Sequence, residues 1–383
     1  MGAENGRTSY PSLPVPPRHG HRPDHRPILA PLTHGSARAR IDAVVVPSRR
    51  PPEYLRSAVA LAEAIDVPLV VITSDPAFSA DLAQMMAGVR GAVVPVPPGH
   101  VGTFFGLRIA GSVLPLTSTY ADTAAKRNLA LKLARVLGWH SLLFLDDDVR
   151  SRSGHTVLAS EIPGALGGMR SSGLRAVGWA LADFPDNSVV CHLRREVGLP
   201  QGIFIGGGAL LVDLIGDLPF FPPVYNEDWL FLHDWVVRGS VAWAGTVGQV
   251  AFDPLADPQR PQMEEFGDVL AEGLYELVHR HWHVDAARSV LFWQSVLAGR
   301  AEMLAEIHRR LPPAEAARKH HVALASARSA LAVITPGDLA DVVRRWRADL
   351  EGWNRHLDGL PGRDDLGAAL TALGLTDFHL AGG

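Results

Sequence analysis

Three short polar clusters carry the residue types that chemistry needs. The first is Asp146-Asp147-Asp148, which directly follows the apolar run SLLFL at 141–145. Three adjacent carboxylates repel one another unless a cation or solvent relieves them. In an extended segment, residues two apart point the same way. Asp146 and Asp148 are therefore expected to face one site, and Asp147 to face elsewhere. Such an oxygen pair suits Mg²⁺ or Mn²⁺ shared with substrate phosphates; it also suits a solvated acidic turn. The second cluster is Asn226-Glu227-Asp228, before Trp229-Leu230-Phe231. A carboxylate there can act as general base toward a hydroxyl, with aromatics nearby to hold a ring. Acidic residues also favour a helix's first turn for dipole reasons alone. The third is Lys126-Arg127-Asn128, whose side chains could pair with the aspartates or a bound diphosphate, or could form an exposed helix face.

The elements that must position these clusters alternate along the chain. The β-branched run at 43–46 ends at Pro47, and helical spacing follows over 54–65. A second strand at 67–73 ends at Ser74-Asp75-Pro76. A short helix around 82–86 and a strand near 92–96 come next. Buried strands alternating with helices predict a mainly parallel sheet covered on both faces. Residues 123–137 form a strong helix with Leu129, Leu133, Val136 and Leu137 on one face, and 141–145 is the strand carrying the aspartates. In open α/β sheets, ligands bind beyond the carboxyl ends of strands. Strands are expected at 174–181 and 203–212, the latter containing Gly206-Gly207-Gly208. A helix is expected over 227–237 and a strand or hairpin over 240–252. From about 268 the chain reads as mostly helical, with one well-marked start: Thr335 as cap and Pro336 in the first turn.

Composition bounds the class. The 383 residues allow two or three domains, or one large domain with appendages. With 47% hydrophobic and 20% charged residues, the chain can bury a sizeable core. A formal net charge of −4 argues against a nucleic-acid partner held by its phosphates. The single cysteine, Cys191, excludes an intramolecular disulfide. No apolar run reaches the roughly 18 residues of a membrane span, and no signal-like apolar core opens the chain, which points to the cytoplasm. Residues 1–40 are rich in Pro, His and Arg and read as a disordered tail. The expected organisation is this tail, a catalytic domain over 41–267 and a helical extension over 268–383.

The order and spacing of the motifs resemble a known family. KRNLAL at 126–131, LFLDDDV at 143–149 and the acidic pair Glu227-Asp228 are similar to GT-A-fold glycosyltransferases, most closely glycosyltransferase family 2. The resemblance covers about 41–252. It implies a GT-A-type, Rossmann-like mixed sheet, mainly parallel, with flanking helices and a helical C-terminal region. It implies a metal-dependent, hexosyltransferase-type enzyme that moves a sugar from a nucleotide-diphosphate sugar to an acceptor hydroxyl, with inversion. Asp148 matches the metal ligand, for Mn²⁺ or Mg²⁺, with Asp146 beside it. Asp146 and Asp147 match positions that face the ribose and phosphates. Pro47 and Arg49 match the loop lining the nucleoside pocket, and Asp75 matches an acidic residue that meets the base. Arg127 and Asn128 match the pair beside the nucleotide. Gly207 and Gly208 match the strand near donor sugar and acceptor. Asp228 matches the catalytic base, with Glu227 as its acidic partner. In several such enzymes a histidine completes the metal shell, which nominates His279 or His281 of the HRHWH run at 279–283.

Other readings compete. A sugar-phosphate nucleotidyltransferase would carry a glycine-rich phosphate loop after the first strand, and 47–52 has no glycine. A catalytically silent nucleotide-binding module of the same fold, and a retaining enzyme, both remain open. The processive QxxRW motif is absent: 342–346 reads VVRRW. The C-terminal extension could shape the acceptor site, mediate a homodimer or brace the catalytic domain. The donor base, donor sugar and acceptor are not encoded in any motif.

Overall fold

The computed structural model describes residues 21–36, 39–97, 104, 106–116, 118–150, 156–182, 188–202 and 204–382. In chain order the strands are β1 (Ala43–Ser48), β2 (Leu69–Thr73), β3 (Gly91–Pro95), β4 (Ser141–Leu145), β5 (Val149–Arg150), β6 (Ala176–Leu181), β7 (Ala209–Asp213), β8 (Val241–Gln249) and β9 (His379–Ala381). The helices are α1 (Arg56–Ile65), α2 (Ser79–Met85), α3 (Thr119–Leu137), α4 (Thr156–Ser171), α5 (Val189–Glu196), α6 (Glu227–Val237), α7 (Arg260–His279), α8 (Val290–Arg310), α9 (Arg318–Val333), α10 (Pro336–Asp358) and α11 (Leu366–Ala372).

The strands form one sheet in the order β5-β8-β6-β7-β4-β1-β2-β3-β9. Pairing is parallel through β4-β1-β2-β3 and between β6 and β8, and antiparallel at β4-β7, β6-β7, β5-β8 and β3-β9. The α/β expectation holds, and the sheet is mixed. Strands β1, β2 and β4 are buried throughout, because helices cover both faces. Alternate residues serve opposite cores. Val45, Val70, Leu142 and Phe144 pack with α3, α6, α7 and α10. Val44, Val46, Leu143 and Leu145 pack with α1, α2 and α4.

Register brings the motifs together. Leu145 lies opposite Ala209, and the Asp146 amide donates to the Gly208 carbonyl at 2.9 Å. The glycines therefore meet the aspartates at the sheet's carboxyl edge. They precede β7 rather than lying inside it, so the strand expected from 203 starts at Ala209. Val149 pairs with Gln249, which sets that side chain beside Asp148.

The helical C-terminal region is built into the body. The boundary read at 267/268 falls inside α7, which is continuous from Arg260 to His279. On α10, Leu339, Val342, Val343, Trp346, Trp353 and Leu357 are buried in the same core as α3. The Asp349 carboxylate accepts from the Arg108 and Ile109 amides, both at 2.8 Å. The cap read at Thr335 is present, accepting from the Asp338 amide. Strand β9, unforeseen, pairs with the edge of β3.

Residues 21–36, part of the 1–40 segment read from composition as a disordered tail, pack on the fold. His25 is buried, with its ring edge-on to Phe204, Trp229 and Tyr275. The Ala30 amide donates to Val241, and the Gly202 amide to Pro23. Composition misleads here because specific contacts do the ordering: Ile28, Leu29, Ala30 and Leu32 pack against the two cores, and Arg22 pairs with Glu276 at 2.7 Å. Residues 1–20 lie outside the described residues. Replacing His25 with Ala is expected to destabilise the protein by about 1–3 kcal/mol, read as a lowered denaturant midpoint at unchanged slope.

Candidate active site

A cleft of about 700 Å³ opens at the carboxyl edge of the sheet. Its walls include Ser48, Arg49, Arg50, Asp122, Lys126, Arg127, Asp146, Asp147, Asp148, Glu227 and Asp228. The sequence placed most of these in three separate clusters, and the fold brings the clusters to one site.

Helix α3 supplies two buried cations. Ser118 caps it, accepting from the Ala121 amide, and the helix ends at Gly138 with φ 65°. Lys126, Arg127 and Asn128 are all buried rather than exposed, because this stretch of α3 is covered on every side. Lys126 Nζ donates to the Ser48 carbonyl (2.7 Å), Ser74 Oγ (2.8 Å) and Asp122 Oδ2 (2.7 Å). Burial pushes the Lys126 pKa down against the pull of Asp122. Arg127 is 3% exposed and bridges two clusters: Nη2 donates to Asp146 Oδ1 at 2.8 Å, and Nη1 to Glu227. Burial opposes its charge, yet Asp146, Glu227 and Asp228 together hold its pKa above the ordinary value.

The aspartate triplet is a turn, and this corrects the expected alternation. Asp147 does not face away. Its Oδ2 accepts from Ser48 Oγ at 2.7 Å, and Arg50 lies 3.2 Å from its Oδ1. Asp148 accepts from Arg50 Nη1 at 2.7 Å and from Gln249 Nε2 at 3.2 Å. Burial raises the Asp147 pKa to about 6, with Arg50 and Ser48 opposing. Burial and then the Asp146 charge raise that of Asp148.

Asp228 is anchored from two sides. Its Oδ2 accepts from the Gly207 amide at 2.6 Å and its Oδ1 from the Trp229 amide at 2.8 Å. Burial raises its pKa, and Arg127 and the two amides oppose that rise. Asn226, with φ 61°, turns the chain into α6 just before it. The glycines have a steric reason: a Cβ at Gly206 would strike the Asp228 carboxylate, and one at Gly207 the Arg127 guanidinium. Behind Asp228, Trp229 is wedged against His25, Phe204 and Tyr275, and Tyr275 donates to its carbonyl at 3.0 Å.

The other expected residues divide between the cleft and positions away from it. Pro47 and Gly208 line the cleft. Asn128 does not: it is fully buried and clamps the Phe221 main chain through both amide atoms, at 2.7 and 2.8 Å. Asp75 caps the 3₁₀ turn at 76–78, accepting from the Ala77 amide, and is not part of the cleft wall. His279 contacts His25 at 3.0 Å behind the Trp229 wall, and burial lowers its pKa to about 4. His281 is exposed, in a left-handed turn after α7. Neither histidine reaches the cleft, because α7 ends on the side facing residues 21–36.

Reading by motif passed over Arg50, Gln249, Asp122 and the acids of α7. Glu264, Asp268, Glu272 and Glu276 recur every fourth residue, a stripe visible in the sequence. Asp268 and Glu272 close the far end of the cleft; Asp268 accepts from Arg300 at 2.6 Å and from Ser188 at 2.7 Å.

The charge balance of the near end is one-sided. Carboxylates of Asp122, Asp146, Asp147, Asp148, Glu227 and Asp228 meet the cations of Arg50, Lys126 and Arg127. Among the described residues, no group of three or more His, Cys, Asp or Glu side chains is arranged around one metal position. The donor set nevertheless fits a hard divalent ion held by one or two carboxylates and completed by substrate oxygens. The atoms are all carboxylate oxygens, and burial makes Asp147 and Asp148 costly to ionise without added positive charge.

No protein-family model matches the chain, and no curated protein is significantly similar to it. Among the described residues no helix is long and apolar enough to cross a membrane. What stands is a Rossmann-like α/β scaffold with a helical C-terminal region and an acidic cleft at the sheet edge.

The pH behaviour of Asp147 follows from its raised pKa. Its folded value, about 6, exceeds the ordinary 3.8. The folded state therefore binds its proton more tightly, and stability from this group falls as pH rises from 3.8 to about 6 and levels off above that. Asp147→Asn is expected to be more stable than wild type at pH 7, by about 1–3 kcal/mol. The gap should close by pH 4, as denaturant melts at the two pH values would show.

Proposed function

We propose that the protein is a divalent-metal-dependent glycosyltransferase of the GT-A type, transferring a sugar from a nucleotide-diphosphate sugar to an acceptor hydroxyl with inversion. One observation carries the reading. A cluster of carboxylates short of positive charge and a separately anchored carboxylate, Asp228, share one cleft at the carboxyl edge of a Rossmann-like sheet. The motif order KRN, DDD and NED supports the same reading, because each motif contributes to that cleft.

Asp148, with Asp146, would hold Mn²⁺ or Mg²⁺, and the bound ion would offset negative charge on the departing nucleoside diphosphate. The chain's own residues do the rest. Ser48, Arg49, Asp122 and Lys126 line the end of the cleft suited to the nucleoside. Arg127 ties Asp146 to Glu227, so the diphosphate end and the base segment hold one geometry. In this reading Glu227 positions Arg127, and Asp228 is the base. The acceptor oxygen attacks the anomeric carbon, the bond from that carbon to the diphosphate breaks, and the acceptor proton passes to Asp228. A base whose pKa is raised by burial is better matched to that proton than an exposed aspartate would be. The two anchoring amides fix which lone pairs remain for it. Trp229, at the cleft wall beside Asp228, would pack against the sugar or acceptor.

A thermal-shift panel of nucleotide sugars with Mn²⁺ should identify the donor. With that donor, Asp228→Asn is expected to lower turnover roughly 10²–10⁴-fold while leaving nucleotide binding in place. Full activity in that variant would remove Asp228 from the base role.

A further inference from the structure

The cation nearest the aspartate turn is Arg50, in the loop after β1. Its Nη1 lies 2.7 Å from Asp148 Oδ2 and 3.2 Å from Asp147 Oδ1, so one nitrogen serves both carboxylates. The contact is shaped by neighbours. The Arg50 amide donates to Ser48 Oγ at 3.2 Å, and that hydroxyl donates to Asp147 at 2.7 Å. The guanidinium also lies over the Tyr54 ring, 5.0 Å from its centroid. Yet Arg50 is 40% exposed, whereas Asp147 and Asp148 are 10% and 6% exposed. The acids are fixed in the wall of the cleft, and the cation reaches them from its mouth. Arg127 differs, since it is fully enclosed between Asp146 and Glu227.

A divalent ion on Asp148 competes with Arg50 for that carboxylate, whose Oδ2 Arg50 holds and whose Oδ1 Gln249 Nε2 meets at 3.3 Å, and two cations on one carboxylate repel. We propose that Arg50 is a resident counter-ion of the aspartate turn, which an incoming divalent ion displaces and a diphosphate then receives. This rests on the reading of Asp148 as the metal ligand. A guanidinium is a flat fork that matches phosphate oxygens well, so the diphosphate compensates Arg50 for the carboxylates it gives up. Two consequences follow by linkage. Metal alone binds weakly, because it must strip Arg50 from Asp147 and Asp148. Metal and diphosphate bind cooperatively, because each supplies the partner that the other's arrival removes. The arrangement also keeps Asp147 and Asp148 partly compensated between turnovers.

The test is titration of Mn²⁺ alone, followed by electron paramagnetic resonance of the free ion, at one fixed pH for all proteins. Full-length wild type, Arg50→Gln, Arg50→Lys and Asp148→Asn are compared, each with and without saturating inorganic pyrophosphate, after melting curves confirm folding. Arg50→Gln is expected to bind Mn²⁺ alone at least fivefold more tightly than wild type and to show a smaller tightening by pyrophosphate. Arg50→Lys, which keeps the charge, should stay near wild type. Equal or weaker Mn²⁺ binding by Arg50→Gln, with binding still lost in Asp148→Asn, overturns the counter-ion role and leaves the proposed function standing. Mn²⁺ binding that ignores Asp148, or none in any protein even with pyrophosphate, overturns both.

Discussion

The site depends on one electrostatic constraint: more buried carboxylates than cations at the end of a strand. Arg127 holds Asp146 and Glu227 together from inside the protein, and Arg50 covers Asp147 and Asp148 from the cleft. Desolvation of unbalanced acids is expensive, and the upward shifts at Asp147, Asp148 and Asp228 express that cost. The fold meets it with specific donors: Ser48, Gln249 and the amides of Gly207 and Trp229. What remains uncompensated is a standing demand for a cation, and a diphosphate with a divalent ion meets that demand in the proposed reaction.

The rest of the molecule holds this arrangement rigid. Antiparallel pairing of β4 with β7 sets the glycine turn against Asp146, and absence of side chains there lets Asp228 and Arg127 approach the backbone. Asn128 fastens α3 to the Phe221 main chain, so the helix that carries Lys126 and Arg127 cannot slide. Helices α7 and α10 brace the far side: Tyr275 steadies the Trp229 carbonyl, and Arg347 holds Asp234 of α6 at 2.6 Å. Residues 21–36 add His25 to the wall behind Trp229.

Much of this was legible in the sequence because strong local patterns and strong tertiary demands coincide. The SLLFL run is β4 to the residue, and the acidic start at Glu227 opens α6 where the pattern put it. The three motifs are local in sequence and share the cleft. Side-chain direction was not legible. Asp147 turns toward Ser48 because the triplet is a turn, and alternation holds only in extended chain. Asn128 and Asp75 have the right residue types, but main-chain groups claim them. The histidines at 279 and 281 are near in sequence to α7's cleft residues, yet the helix carries them past its end. Arg50 and Gln249 carry no motif at all; they act through long-range pairing that a single sequence does not display.

In the proposed reaction Asp148 draws a divalent ion and a nucleoside diphosphate into this cleft together. Calorimetry of nucleoside diphosphates against the full chain, with and without Mn²⁺, tests it most directly, with Asp148→Ala beside the wild type. Saturable binding that requires Mn²⁺ is expected in wild type, weakened at least tenfold in Asp148→Ala. Binding of equal strength in the two proteins, or binding indifferent to the metal, would contradict it.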